Sequence, residues 1–489
     1  MNNSSFLDGI HFQHSYQTLG DALFKPVPPT PLEQPTLLLL NHSVAREFFA
    51  QETLSKQDIH QLTCVGGGQL LTPSMRPIAQ KYCGHQFGVF NPSLGDGRGL
   101  LLGEFASTDG RYFDLHLKGA GPTPFSRGGD GRAVLRSSIR EYLISEYLHQ
   151  LGIPSTRSLA VISSSTPVQR ETTEMAASLL RIARTHIRFG HFEYLFHSSQ
   201  HDLLQQLMDH VIDHYYPSLR SSNQPYAALF DAITARTAVM LAHWQAQGFC
   251  HGVMNTDNFS IVGETFDFGP FSMLDSYQPN FICNHTDWQG RYAYNRQPHI
   301  GLWNLNALAA CFSPWWGKTE LTQTLQRSGD IFHAALFEIF SHKLGISAQH
   351  PQAETLITQL LDTMAQQSLD FPLTFIQLTD HCHARLAHTA SKASELPEAL
   401  HAWQQQWQQA QLDFGHANAL QVMQQSNPRY PLRNSLLQEA ISHTLAGDNR
   451  LLLQLNSMVQ APFSEDPELA FLRQPPAKGC GNLALSCSS

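Results

Sequence analysis

The stretch CHGVMNTDNFSIVGETFDFG, residues 250–269, contains side chains that could bind a divalent metal ion. Asp267 offers a carboxylate and Asn258 offers an amide oxygen. Such hard oxygen ligands suit Mg²⁺ or Mn²⁺, which proteins commonly hold together with the phosphates of a nucleotide. The stretch therefore indicates chemistry at a phosphorus atom, with Asn258 and Asp267 as candidate metal ligands.

The order of these residues is typical of a protein kinase. In a kinase, an Asn closes the catalytic loop and the Asp of D-F-G binds metal. The kinase loop also carries a catalytic base at a fixed interval before the Asn, and Val253 occupies that position here. The stretch keeps the two metal ligands of a kinase and lacks its base.

Further residues upstream could hold phosphate. Gly95 and Gly97 lie in the turn GDGRG, where the lack of side chains lets backbone N–H groups approach phosphate oxygens. Lys118 ends an alternating strand pattern and could neutralise phosphate charge. Glu141, on the following helix, could pair with Lys118 and hold it in place. Glu146 is a second candidate for this pairing, and helical phase alone does not decide between them.

Arginines are unusually frequent around these motifs. Arg98 follows Gly97, and Arg181 and Arg188 stand among apolar residues. Clusters of arginine suit a polyphosphate, because each guanidinium can bind two phosphate oxygens at once.

Short predicted elements must position these groups. The alternation in RYFDLHLK places Phe113, Leu115 and Leu117 on one face of a strand. We predict antiparallel strands over residues 85–90, 99–105 and 111–118, with a glycine-containing turn over 91–98. We also predict helices over 134–151 and 226–247, and short strands over 259–262 and 265–266. A strand, glycine loop, two strands and a helix in this order match the small lobe of a kinase.

The rest of the chain extends this core. Five prolines between residues 26 and 35 predict an irregular N-terminal wrap, with a short helix near 43–51. Residues 270–298 should form a long ordered loop, residues 300–445 should be helical, and the tail over 474–489 should be flexible. We predict an α+β, protein-kinase-like bilobal fold. Its parts are an N-terminal extension over 1–80, a small lobe over 81–195, a large lobe with helical additions over 196–445, and a C-terminal tail over 446–489.

Composition excludes several classes of function. The chain has 489 residues, 42% of them hydrophobic, and a formal net charge of −9. It lacks the basic excess of a nucleic-acid binder. It also lacks a signal peptide pattern and any apolar run of membrane-spanning length. Eight cysteines without a C-x-x-C pair favour a cytoplasmic protein with mostly reduced thiols.

Several long motifs resemble those of the selenoprotein O (YdiU) family. They are YCGHQFGVFNPSLGDGRG, LKGAGPTPFSRGGDGRAVLRSSIREYL, RIARTHIRFGHFEY, HGVMNTDNFSIVGETFDFGPF and GRYAYNRQP. They span roughly residues 80–300, and the N-terminal VPPTPL and the Cys-Ser-Ser ending also fit. The resemblance implies a pseudokinase fold that transfers AMP from ATP, or UMP from UTP, to Ser, Thr or Tyr hydroxyls of protein substrates.

The resemblance also implies a role for each matching residue. Asp257 would be the proton acceptor, and Asn258 and Asp267 would bind Mg²⁺ or Mn²⁺. The residues that would contact the nucleotide are Gly95, Gly97, Arg98, Lys118, Asp130, Gly131, Arg181 and Arg188. Members of the family bind the nucleotide turned around relative to a kinase, so that the α-phosphate faces the acceptor. A carboxylate at position 253 would then have no comparable task.

Cysteines supply a possible regulatory pair. Cys283 lies in the loop after D-F-G, and Cys487 is third from the end of the sequence. The resemblance implies that such a pair can form a disulfide that restrains the active-site loop. Cys480, in the same tail, is a rival partner.

Two other functions remain open from the sequence. An ordinary kinase that moves the γ-phosphate is disfavoured by Val253. A non-catalytic nucleotide-binding scaffold is disfavoured because Lys118, Glu141, Asn258 and Asp267 are all present.

Overall fold

The structure is a computed structural model that describes residues 5–389 and 395–476. Helices and a large antiparallel sheet make up these ranges, so the predicted α+β class is confirmed. The strands are β1 (Phe24–Pro26), β2 (Thr36–Leu40), β3 (Ile78–Gln86), β4 (Val89–Gly95), β5 (Gly99–Ala106), β6 (Tyr112–Lys118), β7 (Ala133–Val134), β8 (Arg157–Gln169), β9 (Thr173–Ala183), β10 (Phe249–Cys250) and β11 (Ser272–Met273). The α-helices are α1 (His42–Phe49), α2 (Lys56–Gly66), α3 (Leu135–Gln150), α4 (Phe189–His197), α5 (His201–Tyr215), α6 (Pro225–Gln247), α7 (Gln297–Phe312), α8 (Lys318–Leu344), α9 (Ala353–Gln367), α10 (Phe371–Leu386), α11 (His401–Phe414), α12 (His416–Ser426), α13 (Asn434–Leu445) and α14 (Arg450–Gln460).

One antiparallel sheet carries most of the strands. Its order is β1-β3-β5-β6-β9-β8-β2, while β4 pairs with β3 and β7 pairs with β9. The N-terminal segment therefore supplies the first and last strands of the order. Strands β10 and β11 form a separate two-stranded ladder.

The hairpin of β5 and β6 follows the sequence prediction closely. Asp109-Gly110 forms its turn, and Gly110 has a φ of 79°, which glycine adopts without steric cost. Gly99 pairs with Lys118 across the hairpin, and Lys118 pairs with Leu179 on β9. Because β6 is central, both of its faces are buried, including Asp114, His116 and Lys118.

The predicted strand over 85–90 is wrong in its bounds. The chain reverses at Phe87 and Gly88, whose φ values are 50° and 82°, and this tight turn joins β3 to β4. A two-residue turn of type I′ requires positive φ at both central positions, and Phe is not a residue that signals such a turn. Strand β4 consequently runs through residues 91–95, where we predicted a turn.

The predicted helices over 134–151 and 226–247 are confirmed as α3 and α6. The apolar residues of α3, among them Ile139, Leu143 and Tyr147, are buried in the largest hydrophobic cluster. Helix α6 ends at Gly248, which has a left-handed φ of 71° and lies against the ring of Phe371.

The predicted strands over 259–262 and 265–266 are wrong. Ser260 and Thr265 each form an isolated bridge, with Arg188 and Ser155 respectively. Each of these two residues pairs with a neighbouring segment, but the residues beside it do not, so no continuous strand forms.

Residues 300–445 are helical as predicted, from α7 to α13. Their helices α8–α12 surround a second hydrophobic cluster that includes Trp403 and Trp407. The predicted flexible tail lies mostly outside the described residues. Within the described ranges, no helix is both long and apolar enough to cross a membrane.

Candidate active site

Lys118 and Glu141 form a buried ion pair between β6 and α3. The paired side chains are 7% and 1% exposed. Burial lowers the pKa of Lys118 to about 8, so the amine stays largely charged at neutral pH. Burial opposes ionisation of Glu141, but Arg181 and Lys118 together hold its pKa below the ordinary value.

Glu146 serves a different partner. It binds Arg157 through the guanidinium, with Nη2 to Oε2 at 2.9 Å, and accepts the backbone N–H of Ser158 at 2.9 Å. The two alternatives that helical phase left open are thus separated. Glu141 pairs with Lys118, and Glu146 ties α3 to β8.

Two arginines converge on Asp267. Arg181 Nη2 donates to Asp267 Oδ1 at 3.0 Å, and Arg188 Nη1 donates to Asp267 Oδ2 at 2.5 Å. Arg181 also donates to Glu141 through Nε at 2.8 Å. Strand β9 and the residues just before α4 therefore bring both guanidiniums to the D-F-G turn.

The conformation and charge of Asp267 are unusual. Its φ is 58°, a left-handed value that non-glycine residues adopt rarely. Burial would raise the pKa of this carboxyl, but Arg188, Arg181 and Lys118 keep it well below the ordinary value. Asp267 is therefore an ionised carboxylate at neutral pH.

Asn258 lies in a short 3-10 turn over Thr256–Asn258. Its amide nitrogen donates to the carbonyl of Val253 at 2.9 Å, which leaves the amide oxygen available as a ligand. Val253 itself is buried. The residue at the kinase base position thus contributes its backbone to the positioning of Asn258.

Asp257 is 7% exposed and lies beside the same arginine system. Arg188 Nη1 donates to the Asp257 carbonyl at 3.1 Å. Burial raises the pKa of the Asp257 carboxyl to about 7, against the lowering influence of Arg188. A carboxyl with a pKa near neutrality is well suited to accept a proton.

Strand β3 positions the Asp257 carboxyl, which sequence reasoning did not foresee. Gln86 Nε2 donates to Asp257 Oδ2 at 3.2 Å, whereas Oδ1 has no hydrogen-bond partner among the described residues. A Cβ on Gly84 would lie 3.0 Å from that Oδ1. The glycine of the motif CGHQ could have indicated a close approach at Gly84. The residue that approaches it, Asp257, is distant in sequence and could not be identified from the motif.

The glycine turn between β4 and β5 is packed closely. A Cβ on Gly95 would come within 2.4 Å of the ring of Phe125, and a Cβ on Gly97 would lie 2.9 Å from the Phe125 carbonyl. Arg98 is exposed, and its side chain forms no ion pair or hydrogen bond among the described residues. Its guanidinium is accordingly free to meet an anion.

Asp130 and Gly131 lie in the loop before β7. Arg170 binds the exposed carboxylate of Asp130 in bidentate fashion, at 2.7 and 3.0 Å. Gly131 has a φ of 65°, and a Cβ there would lie 2.0 Å from the Gly121 carbonyl, so only glycine fits. Among the described residues, no hydrogen bond or ion pair joins Asp130 or Gly131 to Lys118 or to Asp267.

Asp96, inside the glycine turn, was missed by the sequence reasoning. It is 4% exposed, and its side chain accepts the backbone N–H of Gln80 at 3.0 Å. It also lies 3.7 Å from Arg188 Nη2. An Asp flanked by glycines reads as an exposed turn residue, and only the tertiary structure reveals its burial.

Cys283 is buried next to β10. It is 4% exposed, and its thiol donates to the Cys250 carbonyl at 3.5 Å. Burial raises the pKa of this thiol well above its ordinary value. Cys480 and Cys487 lie outside the described residues, so the disulfide pairing stays a prediction.

The oxygen donors of this site fit a metal that is shared with phosphate. Among the described residues there is no cluster of three or more His, Cys, Asp or Glu side chains that could enclose an ion alone. Mg²⁺ characteristically takes one or two protein oxygens and completes its shell with water and substrate phosphates. Asp267, with Lys118 and two arginines around it, and the available amide oxygen of Asn258 fit that pattern.

Comparison with known proteins gives a family match over nearly the whole chain. A family model described as "Protein adenylyltransferase SelO" matches residues 7–460. A relative named protein nucleotidyltransferase YdiU from Vibrio cholerae serotype O1 is 43% identical over 494 residues, which covers 99% of this chain and 100% of the relative. Relatives of the same name from Vibrio atlanticus and Azotobacter vinelandii are each 42% identical, over 489 and 487 residues. These alignments cover 99% of this chain, with 100% and 99% of the respective relative.

Proposed function

Because this chain belongs to the SelO family of protein adenylyltransferases and is a protein nucleotidyltransferase, we propose that it transfers AMP from ATP, or UMP from UTP, to Ser, Thr or Tyr hydroxyls. The acceptor oxygen would form a bond to the α-phosphorus, and the bond from that phosphorus to the bridging oxygen would break. Pyrophosphate would leave. The observation that carries this proposal is that Arg188 bonds both Asp267 and Asp257, which joins the candidate metal ligand and the candidate base in one site.

Asn258 and Asp267 would hold the divalent metal. The amide oxygen of Asn258 is available, and Asp267 is ionised. Both Asp267 oxygens are bonded to arginines, so the metal would share this carboxylate with them or displace one of them. When bound, Mg²⁺ or Mn²⁺ supplies positive charge that stabilises the phosphates of the nucleotide.

Asp257 would accept the proton of the attacking hydroxyl. Its carboxyl has one oxygen held by Gln86 and one without a partner among the described residues. Its raised pKa, about 7, places proton transfer near physiological pH. Transfer at phosphorus depends mainly on positioning and electrostatics, so the contribution of Asp257 is expected to be modest.

Eight residues would contact the nucleotide. Lys118, held by Glu141, would neutralise phosphate charge, and Arg98 is free to bind an anion. The full set is Gly95, Gly97, Arg98, Lys118, Asp130, Gly131, Arg181 and Arg188. We propose, from the family resemblance, that the nucleotide lies turned around relative to a kinase. Val253 is compatible with this orientation, because no base is then needed at the kinase base position.

The arrangement of elements supports a kinase-like, two-lobed architecture. The sheet of β3–β9 with α3 would form the small lobe, and the helices from α5 onward would form the large lobe. The ion pair of Lys118 and Glu141 between strand and helix is the feature that favours this relationship.

Intact-mass analysis tests the function directly. The purified protein is incubated with a protein substrate mixture, first with ATP and Mg²⁺ and then with UTP and Mn²⁺. Adducts of nucleoside-monophosphate size that are absent with the Asp267→Asn variant would support nucleotidyl transfer and identify the preferred nucleotide. Phosphate-sized adducts would instead indicate a kinase, and binding of nucleotide without any adduct would indicate a scaffold.

A further inference from the structure

Asp96 is a buried carboxylate in the middle of the glycine turn, and its backbone and side chain are both tied to β3. Its N–H donates to the Gln80 carbonyl at 2.9 Å. Its Oδ2 accepts the Gln80 N–H at 3.0 Å, and its Oδ1 accepts the Tyr82 hydroxyl at 3.3 Å. These bonds hold the Asp96 carboxylate against strand β3.

Two basic side chains lie within ion-pair distance of Asp96. His116 Nε2 is 3.7 Å from Oδ2, and Arg188 Nη2 is 3.7 Å from Oδ1. Burial lowers the pKa of His116, so this imidazole is neutral at physiological pH. Arg188 is therefore the permanent cation beside Asp96.

Arg188 has contacts on both faces of its guanidinium and at both terminal nitrogens. Its guanidinium lies between the rings of Tyr82 and Phe266, at 4.6 and 4.7 Å from their centroids. One terminal nitrogen bonds Asp267, and the other faces Asp96. Two carboxylates on different nitrogens fix both the place and the rotation of a planar guanidinium.

We propose that Asp96 is a positioning residue for nucleotidyl transfer: its charge holds the guanidinium of Arg188 in register with Asp267 and links the glycine turn to the D-F-G turn. This inference rests on the proposed function, in which Arg188 contacts the nucleotide. A purely structural Asp96 would anchor the turn to β3 and would act through hydrogen bonds alone.

The variant Asp96→Asn separates charge from hydrogen bonding. An amide retains an oxygen for the Gln80 N–H and a polar group for the Tyr82 hydroxyl, but it removes the negative charge that faces Arg188. Misplacement of a positioning group lowers the rate of the chemical step more than it weakens binding. We therefore expect kcat to fall at least about tenfold while the nucleotide KM changes less than about threefold.

The matched control is Asp109→Asn. Asp109 lies in the exposed turn between β5 and β6 and also pairs with an arginine, Arg111. The Asp109→Asn variant makes the same chemical change at an exposed turn of the same sheet. Its activity should equal that of the unmodified protein. Thermal unfolding of both variants shows whether each is folded at the assay temperature.

A double-mutant cycle with Arg188→Lys makes the test independent of small stability losses. If Asp96 acts through Arg188, adding Asp96→Asn to Arg188→Lys lowers kcat no further. The inference is overturned if the two losses multiply, if Asp96→Asn raises KM while kcat is kept, or if it leaves both unchanged. If the unmodified protein transfers no nucleotide at all, the proposed function fails and the role of Asp96 falls with it.

Discussion

The guanidinium of Arg188 donates to the carboxylate of Asp267 at 2.5 Å, although the two residues belong to different parts of the fold. Arg188 immediately precedes α4, and Asp267 opens the D-F-G turn with a left-handed φ of 58°. The second bond of Arg188, to the Asp257 carbonyl, extends this link to the candidate base. One arginine thus sets the relative placement of the two carboxyl-bearing residues on which the proposed chemistry depends.

Asp267→Asn should abolish transfer while the protein remains folded. Asn tolerates a left-handed backbone better than most residues, so the turn can be kept while the charge is lost. Removing an anion that serves two buried arginines should cost about 3 kcal/mol of stability. Transfer measured by intact mass should fall by about 100-fold or more, since a candidate metal ligand and a charge partner are both lost.

The exposed pair of Asp448 and Arg450 supplies the control for that experiment. Asp448→Asn makes the same substitution in an exposed turn between α13 and α14 and should leave both transfer and melting temperature unchanged. Substantial transfer by folded Asp267→Asn would remove Asp267 from the metal site.

Glu141→Gln and Glu146→Gln should both destabilise the protein and differ in activity. Both carboxylates are almost fully buried on α3 and pair with an arginine. Removing either takes a buried anionic partner from a buried cation, at a cost of about 3 kcal/mol of the free energy of unfolding. Arg157 keeps Glu47 and Arg181 keeps Asp267, whereas Lys118 loses its ion-pair partner in Glu141→Gln. Only Glu141 also holds Lys118, so only its variant should lose transfer at a temperature where both proteins are folded.

Denaturant unfolding and transfer assays on the same preparations test this pair. Equal loss of transfer in both variants would assign the loss to α3 as a whole rather than to the Lys118 ion pair.

The sequence predicts the elements that local patterns determine, and it misses those that contacts between distant residues determine. The β5–β6 hairpin and helices α3 and α6 follow local patterns, and each was found within a few residues of its prediction. The turn at Phe87-Gly88 was missed because its positive φ is imposed by tertiary contacts. The backbone N–H of Phe87 donates to the Tyr292 hydroxyl at 2.8 Å, and the ring of Phe87 packs against the ring of Tyr292.

The candidate site shows the same division. The motifs supplied the residue types, including Lys118, Asn258 and Asp267, because their order along the chain is informative. The roles of Asp96 and Gln86 depend on partners more than ninety residues away in sequence. No local pattern encodes such pairs, so they emerge only from the folded chain.

Disulfide regulation through Cys283 and Cys487 can be tested by three serine variants. Oxidation of two thiols by diamide would form the bond and restrain the loop after D-F-G. Cys283→Ser and Cys487→Ser should then make transfer insensitive to diamide and to reductant, whereas Cys480→Ser should respond like the unmodified protein. Mass analysis of non-reduced peptides identifies the bonded pair.

Cys382→Ser is the matched control, because Cys382 is a buried thiol on α10, outside the loop after D-F-G. Its response should equal that of the unmodified protein. Loss of the response in Cys480→Ser alone would assign the disulfide to Cys480 instead of Cys487.

Lys343→Met should stabilise the protein more at low pH than at high pH. Lys343 is 2% exposed, and its amine donates to Gln247 Oε1 at 3.0 Å and lies 4.4 Å from the Phe375 ring centroid. Burial lowers its pKa from 10.5 to about 7. Below pH 7 the folded protein must carry a buried charge, and this penalty shrinks as the pH rises from 7 toward 10.5. We expect a gain on the order of 2 kcal/mol in urea unfolding at pH 6 and a much smaller gain at pH 10. The control is Lys318→Met, at the exposed start of α8, which should show no such dependence on pH. An equal gain for Lys343→Met at both pH values would mean that packing rather than charge determines the effect at position 343.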